Sequence, residues 1–145
     1  MKTPWNENST RRRVRLLDVR FQRSADMRSE AEVSLEWEAL EYHGKANAVG
    51  HGAIDLRVCA EATLEALRAL LGGRASFRLA GVKSVKAFDD SLAIVSVAAH
   101  DPERNEERRL IGAAVAKEGE VARGVAMAVL NATNRLLGNF LATAD

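Results

Sequence analysis

Two halves of this chain repeat each other in order, and that repeat restricts its fold more than any other feature. Val14-Arg15-Leu16-Leu17-Asp18-Val19-Arg20 aligns with Phe77-Arg78-Leu79-Ala80-Gly81-Val82-Lys83, an offset of 63 residues. Ala60-Glu61-Ala62-Thr63-Leu64-Glu65-Ala66 aligns with Ala126-Met127-Ala128-Val129-Leu130-Asn131-Ala132, and Ala69-Leu70-Leu71-Gly72 with Arg135-Leu136-Leu137-Gly138, both at an offset of 66. A drift of three residues is what one longer loop produces. A repeat of this length points to one supersecondary unit built twice, the two copies sharing a core. The first copy runs over about residues 11–73 and the second over about 74–145, after a polar tail at residues 1–10.

Within each copy the periodicity changes from two to about 3.6. Val14 to Phe21 reads as a strand that ends at the turn-like Ser24-Ala25-Asp26. Ala31, Val33, Leu35, Trp37 and Ala39 alternate with Glu32, Ser34, Glu36 and Glu38, which predicts a second strand with one apolar and one acidic face. A tight turn near His43-Gly44, or just before it, leads to a third strand from about Tyr42 to Val49. After Gly50-His51-Gly52, Leu56, Ala60, Leu64, Leu67 and Leu71 recur at helical spacing, and Gly72-Gly73 stops the helix.

The second copy follows the same plan. Phe77 to Phe88 is a strand turned by Asp89-Asp90. Leu92 to Ala99 is nearly continuous in apolar residues, which predicts a central strand covered on both faces. A polar turn from His100 to Glu106, with Pro102 unable to continue a ladder, leads to a third strand over Arg108 to Ala116. Glu118-Gly119-Glu120 opens a last helix whose stripe of Val121, Val125, Ala128, Ala132, Leu136 and Phe140 is widened by Val129, Leu130, Leu137 and Leu141. The expectation is an α+β domain: a duplicated βββα unit with pseudo-twofold symmetry, mainly antiparallel strands, and helices on one side.

At 145 residues the chain is long enough to bury a real core. A formal charge of +1 gives no overall attraction to nucleic acid or membrane. Arg11-Arg12-Arg13 and Arg15 are read as a solvated basic run, without the aromatic interleaving of a nucleic-acid arm. No signal-like or membrane-spanning apolar run is present, so a cytoplasmic location is expected. The single cysteine, Cys59, sits in an apolar helical stretch and reads as a small buried hydrophobe. His43, His51, His100 and Cys59 lack metal-ligand spacing, and no nucleophile motif or phosphate loop occurs. Neither a metal, a cofactor nor enzymatic activity is expected.

Three places remain as candidates. Gly50-x-Gly52 stands at a strand-to-helix junction, where backbone N–H groups and the helix N-terminus suit the carboxylate of an amino or keto acid. The same residues also serve simple chain reversal, with Asp55 complementing the helix macrodipole. Gly112 and Gly119-Glu120-Val121 are read as the corresponding junction of the second copy, with capping as the plainer alternative. Asn131 and Asn134 are poor helix formers on an apolar helix, which calls for a hydrogen bond to a loop or across an interface, or for a solvent-facing edge. Trp37 reads as core or dimer interface.

The run Ala48-Val49-Gly50-His51-Gly52-Ala53-Ile54-Asp55 resembles the Gly-Asn-Gly-Pro-Val-Asp-Ala signature of the C-terminal regulatory domain of 2-isopropylmalate synthase and its citramalate and homocitrate relatives. Arg109-Leu110-Ile111-Gly112 is similar to the strand before that family's last helix, and Ala128-Val129-Leu130-Asn131-Ala132-Thr133-Asn134-Arg135 to its Ala-x-x-x-Leu-Asn helix ending. The resemblance covers about residues 14–141. It implies a duplicated βββα domain that helps form a homodimer and binds a branched-chain amino acid as feedback inhibitor, here in connection with leucine biosynthesis. Gly50, His51, Gly52, Ala53, Ile54, Asp55, Gly112 and Asn131 are then the ligand-site candidates, with Asp55 receiving the ammonium group. His51 stands where the family has asparagine and Ala53 where it has proline, and with only a short tail ahead of the repeat no catalytic barrel is expected. The expected function is a non-catalytic, dimeric, amino-acid-sensing protein acting on a separately encoded enzyme. A structural oligomerisation or adaptor module without a ligand is the alternative.

Overall fold

The computed structural model describes residues 13–50 and 52–142, without the side chains of Arg135 and residues 138–142. The expected tail at 1–10, Arg11, Arg12 and His51 lie outside the described residues, as do the side chains of Phe140 and Leu141. In chain order the elements are β1 (Arg15–Arg23), β2 (Arg28–Trp37), β3 (Leu40–Val49), α1 (Ala53–Leu71), β4 (Ser76–Ala87), β5 (Asp90–Asp101), β6 (Glu106–Val115) and α2 (Val121–Ala142). The order is βββα twice. Each trio forms its own antiparallel sheet, β1–β2–β3 (sheet 1) and β4–β5–β6 (sheet 2). The chain is an α+β domain.

The duplication extends to irregularities that alternation does not reveal. The ladder of β1 with β2 slips between Leu16 and Asp18, and that of β4 with β5 between Leu79 and Gly81. The extra residues, Leu17 and Ala80, are equivalent at the offset of 63 seen in the sequence. A bulge at the same point in both copies twists the first strand in the same way.

Each helix covers the inner face of its own sheet and reaches the first strand of the other. α1 lies on β2 and β3 and meets β4, while α2 lies on β5 and β6 and meets β1. Arg68 at the end of α1 donates to the Phe77 carbonyl at 2.7 Å, a direct tie between the copies. Leu35, Leu64, Leu67, Leu71, Val95, Val97, Val125 and Val129 belong to one continuous core. The hydroxyls of Thr63 and Thr133, fully buried, each donate to the carbonyl four residues back, at 2.8 and 2.9 Å.

Gly44 and Gly112 allow the helices to come down onto the sheets. A Cβ on Gly44 would lie 2.2 Å from the Ala62 carbonyl oxygen and 2.3 Å from the Ala66 nitrogen. One on Gly112 would lie 2.2 Å from Ala128 O and 2.4 Å from Ala132 N. Ala62 and Ala66 correspond to Ala128 and Ala132 at the offset of 66, so the two glycines perform one task twice.

The structure corrects several expected boundaries. The β2–β3 turn is Glu38-Ala39, flanked by the Trp37–Leu40 pair, and His43-Gly44 lies inside β3. The β4–β5 turn is Phe88-Asp89, with Asp90 already paired to Ala87. The turn after β5 is confined to residues 102–105. β5 is central in its sheet but covered by a helix on one face only: Ala93, Val95, Val97 and Ala99 belong to the core, whereas Leu92 and Ile94 do not. Gly112 is not part of a strand-to-helix junction; it lies within β6, opposite Val95, as Gly44 lies opposite Val33.

Both two-residue turns have positive φ at both positions: 51° and 66° at Glu38-Ala39, 52° and 67° at Phe88-Asp89. That is the signature of a type I′ hairpin, which prefers Asn-Gly because left-handed backbone is strained for other residues. Phe88 is also 98% exposed, so its ring gains no burial in return. The double substitution Phe88→Asn with Asp89→Gly is expected to raise stability by about 1 kcal/mol in urea denaturation. An unchanged midpoint would count against strain in this turn.

Candidate functional site

The junction between β3 and α1 is assembled from both ends of sheet 1. The chain leaves β3 through Gly50, whose N–H donates to the Met27 carbonyl at 3.1 Å and whose φ is 151°. A Cβ there would lie 2.8 Å from Ile54 Cγ1, so Ile54 packs directly on the glycine. Gly52 is the residue before α1, with φ of 64°, and a Cβ on it would meet nothing within 4 Å. Backbone conformation requires glycine at Gly52; crowding does not. The helix start carries no side-chain cap; the Asp55 N–H donates to the Gly52 carbonyl at 3.1 Å, and the positive end of the macrodipole lies at this junction.

Asp55, in the first turn of α1, holds this corner to the strands. Its Oδ1 accepts from the fully buried Ser29 hydroxyl at 2.5 Å, and its Oδ2 from the Arg23 guanidinium at 2.5 Å. Ser29 lies on β2 and Arg23 at the end of β1, where the two residues are paired in the ladder. The sequence reading missed both partners. Serine at an inward position of an otherwise apolar strand face was the available signal for Ser29. At the adjoining turn, the Asp26 carboxylate accepts from Ser24 Oγ at 2.6 Å and from the Arg28 N–H at 3.3 Å, and these hydrogen bonds hold it below the usual carboxylate range.

Beside the junction lies a hollow of about 320 Å³ between β3 and α1. Ala46, Ala48, Ile54 and Val58 give it apolar walls, and Lys45, Arg57, Glu61 and Glu65 stand around it. A second hollow, about 390 Å³, lies on the outer face of sheet 1 and is lined mainly by Arg20, Gln22, Glu30, Glu32, Lys45 and Asn47. The first is the better match to a small aliphatic ligand, because it has apolar surface next to charges of both signs, Lys45 and Arg57 with Glu61 and Glu65.

The other candidates lie elsewhere. Gly112 is buried under the backbone of α2 and offers no surface. Asn131 Nδ2 donates to the Ala113 carbonyl at 2.9 Å, tying α2 to β6. Asn134 is partly covered, and its Oδ1 is buried without a hydrogen-bond partner. Trp37 packs against the core at the end of β2, with its indole N–H also unpartnered. Cys59 is buried one turn along α1 from Asp55; burial, with the nearby carboxylate, pushes its thiol up to about 12, so it remains protonated and unreactive at physiological pH. Among the described residues no group of three or more His, Cys, Asp and Glu side chains is placed to hold a metal ion, and no helix is long and apolar enough to cross a membrane.

Comparison with models of protein families and with curated proteins finds no match for this chain.

Proposed function

We propose that this chain is a non-catalytic regulatory domain, similar in kind to the amino-acid-sensing domain of 2-isopropylmalate synthase, that works as a homodimer and takes a branched-chain amino acid or related acid at the β3–α1 junction. One observation carries the ligand reading: the first turn of α1, which has no side-chain cap, carries both Asp55, paired with Arg23, and its neighbour Ile54, which walls a hollow with Ala46, Ala48 and Val58. An amino acid brings a carboxylate, an ammonium and an aliphatic side chain. The helix start with Arg23 suits the first, Asp55 the second and the hollow the third. The chain would act through a separately encoded enzyme in the cytoplasm.

Thermal unfolding against leucine, isoleucine, valine and their keto acids tests this. At 100 times its dissociation constant, a ligand stabilises the folded state by about 2.7 kcal/mol, a rise in Tm of roughly 8 °C for a domain of this size. Arg23→Ala should abolish the shift. No shift with any of these compounds would reject the ligand and leave the second reading, an association module without one. That second reading is favoured by the engagement of both Asp55 oxygens within the chain, by Ser29 and Arg23.

A further inference from the structure

The outer faces of the two sheets, turned away from the helices, differ completely in chemistry. Across sheet 1 the outward rows read Arg15–Glu36–Glu41, Asp18–Ser34–His43, Arg20–Glu32–Lys45 and Gln22–Glu30–Asn47. Across sheet 2 the equivalent rows read Val85–Leu92–Val115, Lys83–Ile94–Ala113, Gly81–Ser96–Ile111 and Arg78–Ala98–Arg109. The first face is a lattice of alternating charge. The second is apolar at Val85, Leu92, Ile94, Ile111, Ala113 and Val115, with Ser96 and Lys83 among them, and carries charge at its far end, where Arg78 is paired with Glu107 beside Arg109. None of Val85, Leu92, Ile94, Ile111 and Val115 belongs to the core, and Ile111 and Val115 are 70% and 49% exposed. A contiguous apolar face of this kind marks an interaction surface.

We infer that the outer face of sheet 2 is the surface through which two copies of this chain associate, face to face about a twofold axis. This rests on the homodimer in the proposed function and assigns it a place. Three observations select a second copy as the occupant. Strands of about ten residues, rising about 3.4 Å each and about 4.8 Å apart, give a face of roughly 34 by 14 Å. Two such faces laid together bury on the order of 1,000 Å², which reaches the lower limit for a specific interface. Among the described residues no other sheet face matches this one. The corresponding face of sheet 1 would have to strip water from its charges, and residues 1–12 carry only Met1, Pro4 and Trp5 as apolar groups. Finally, the edge of sheet 2 is closed at one point, because Asn131 occupies the Ala113 carbonyl of β6. The face, rather than strand addition at that edge, is what remains open to a partner.

Ile111→Glu tests the assignment, with Ala113→Arg as a second variant and His43→Glu on the outer face of sheet 1 as the control. The readout is molar mass by light scattering and sedimentation over a concentration series, with near-ultraviolet circular dichroism confirming that each variant is folded. The wild-type chain should be a dimer. Ile111→Glu and Ala113→Arg should each weaken association at least 100-fold while remaining folded, because a twofold axis buries every introduced charge twice, and His43→Glu should leave it unchanged. A dimer that survives both sheet 2 variants overturns the assigned surface but leaves the dimer intact. A wild-type chain that stays monomeric at high concentration overturns the inference and the dimeric part of the proposed function together, and leaves the face to a different protein. A ligand-induced rise in Tm in that monomer would preserve the sensing part alone.

Discussion

Gly112→Ala is expected to destabilise the domain by about 3 kcal/mol, and Gly44→Ala by a similar amount, measured by urea denaturation. In each case the new methyl group would have to sit about 2.2 Å from a helix carbonyl oxygen. The obstacle is backbone, not the movable end of a side chain. Relief therefore requires α1 to rise from β3, or α2 from β6, by more than an ångström, which opens the packing along the helix. Gly81→Ala is the control. It lies in the same fold, on a strand, and its added Cβ meets nothing within 4 Å, so its effect should be within about 0.5 kcal/mol. Equal effects at Gly81 and Gly112 would show that strand propensity rather than close approach sets the cost.

Asp55→Ala should cost about 2 kcal/mol, more than Ser29→Ala at about 1 kcal/mol, and Arg23→Ala should cost least. The order follows from burial. Removing the carboxylate leaves the Ser29 hydroxyl, which is fully buried, without its acceptor and also removes an acidic group from the first turn of α1. Removing Ser29 leaves a carboxylate that Arg23 and solvent still satisfy. The Arg23 guanidinium is 40% exposed at the side chain, and water replaces most of what its ion pair supplies. Should Arg23→Ala destabilise more than Asp55→Ala, the corner would be held by charge and not by the buried hydrogen bond. The same series separates stability from ligand response, because Arg23→Ala leaves a folded protein in which to look for loss of a thermal shift.

Much of this architecture is legible in the residues themselves. The offsets of 63 and 66 carry the duplication, and the change from period two to 3.6 carries the βββα order. What could not be read has physical causes. Glu38-Ala39 and Phe88-Asp89 form type I′ turns without the asparagine and glycine that normally signal them, so the residue pattern points to turns a residue or more away. An isolated glycine such as Gly112 signals a turn in sequence; the packed helix reveals that it makes room for another backbone. Its equivalence to Gly44 became visible through Ala62, Ala66, Ala128 and Ala132, residues distant in sequence from both. At the junction, Gly50, Gly52 and Asp55 were legible by spacing, but Arg23 and Ser29 enter through the pairing of β1 with β2, which no local pattern encodes.

The reach of each helix onto the first strand of the other copy shapes how the chain folds. Because α1 touches β4 and α2 touches β1, each copy completes its core with a strand from the other. A lone βββα unit would leave one flank of its helix bare, so neither half is a free-standing folding unit, and the domain should open as a whole, not copy by copy. The contacts that finish the fold join residues from separate copies, which places loop-closure entropy on the path and slows folding relative to a helical chain of equal length. The repeat therefore supplies two similar parts without supplying two independent ones.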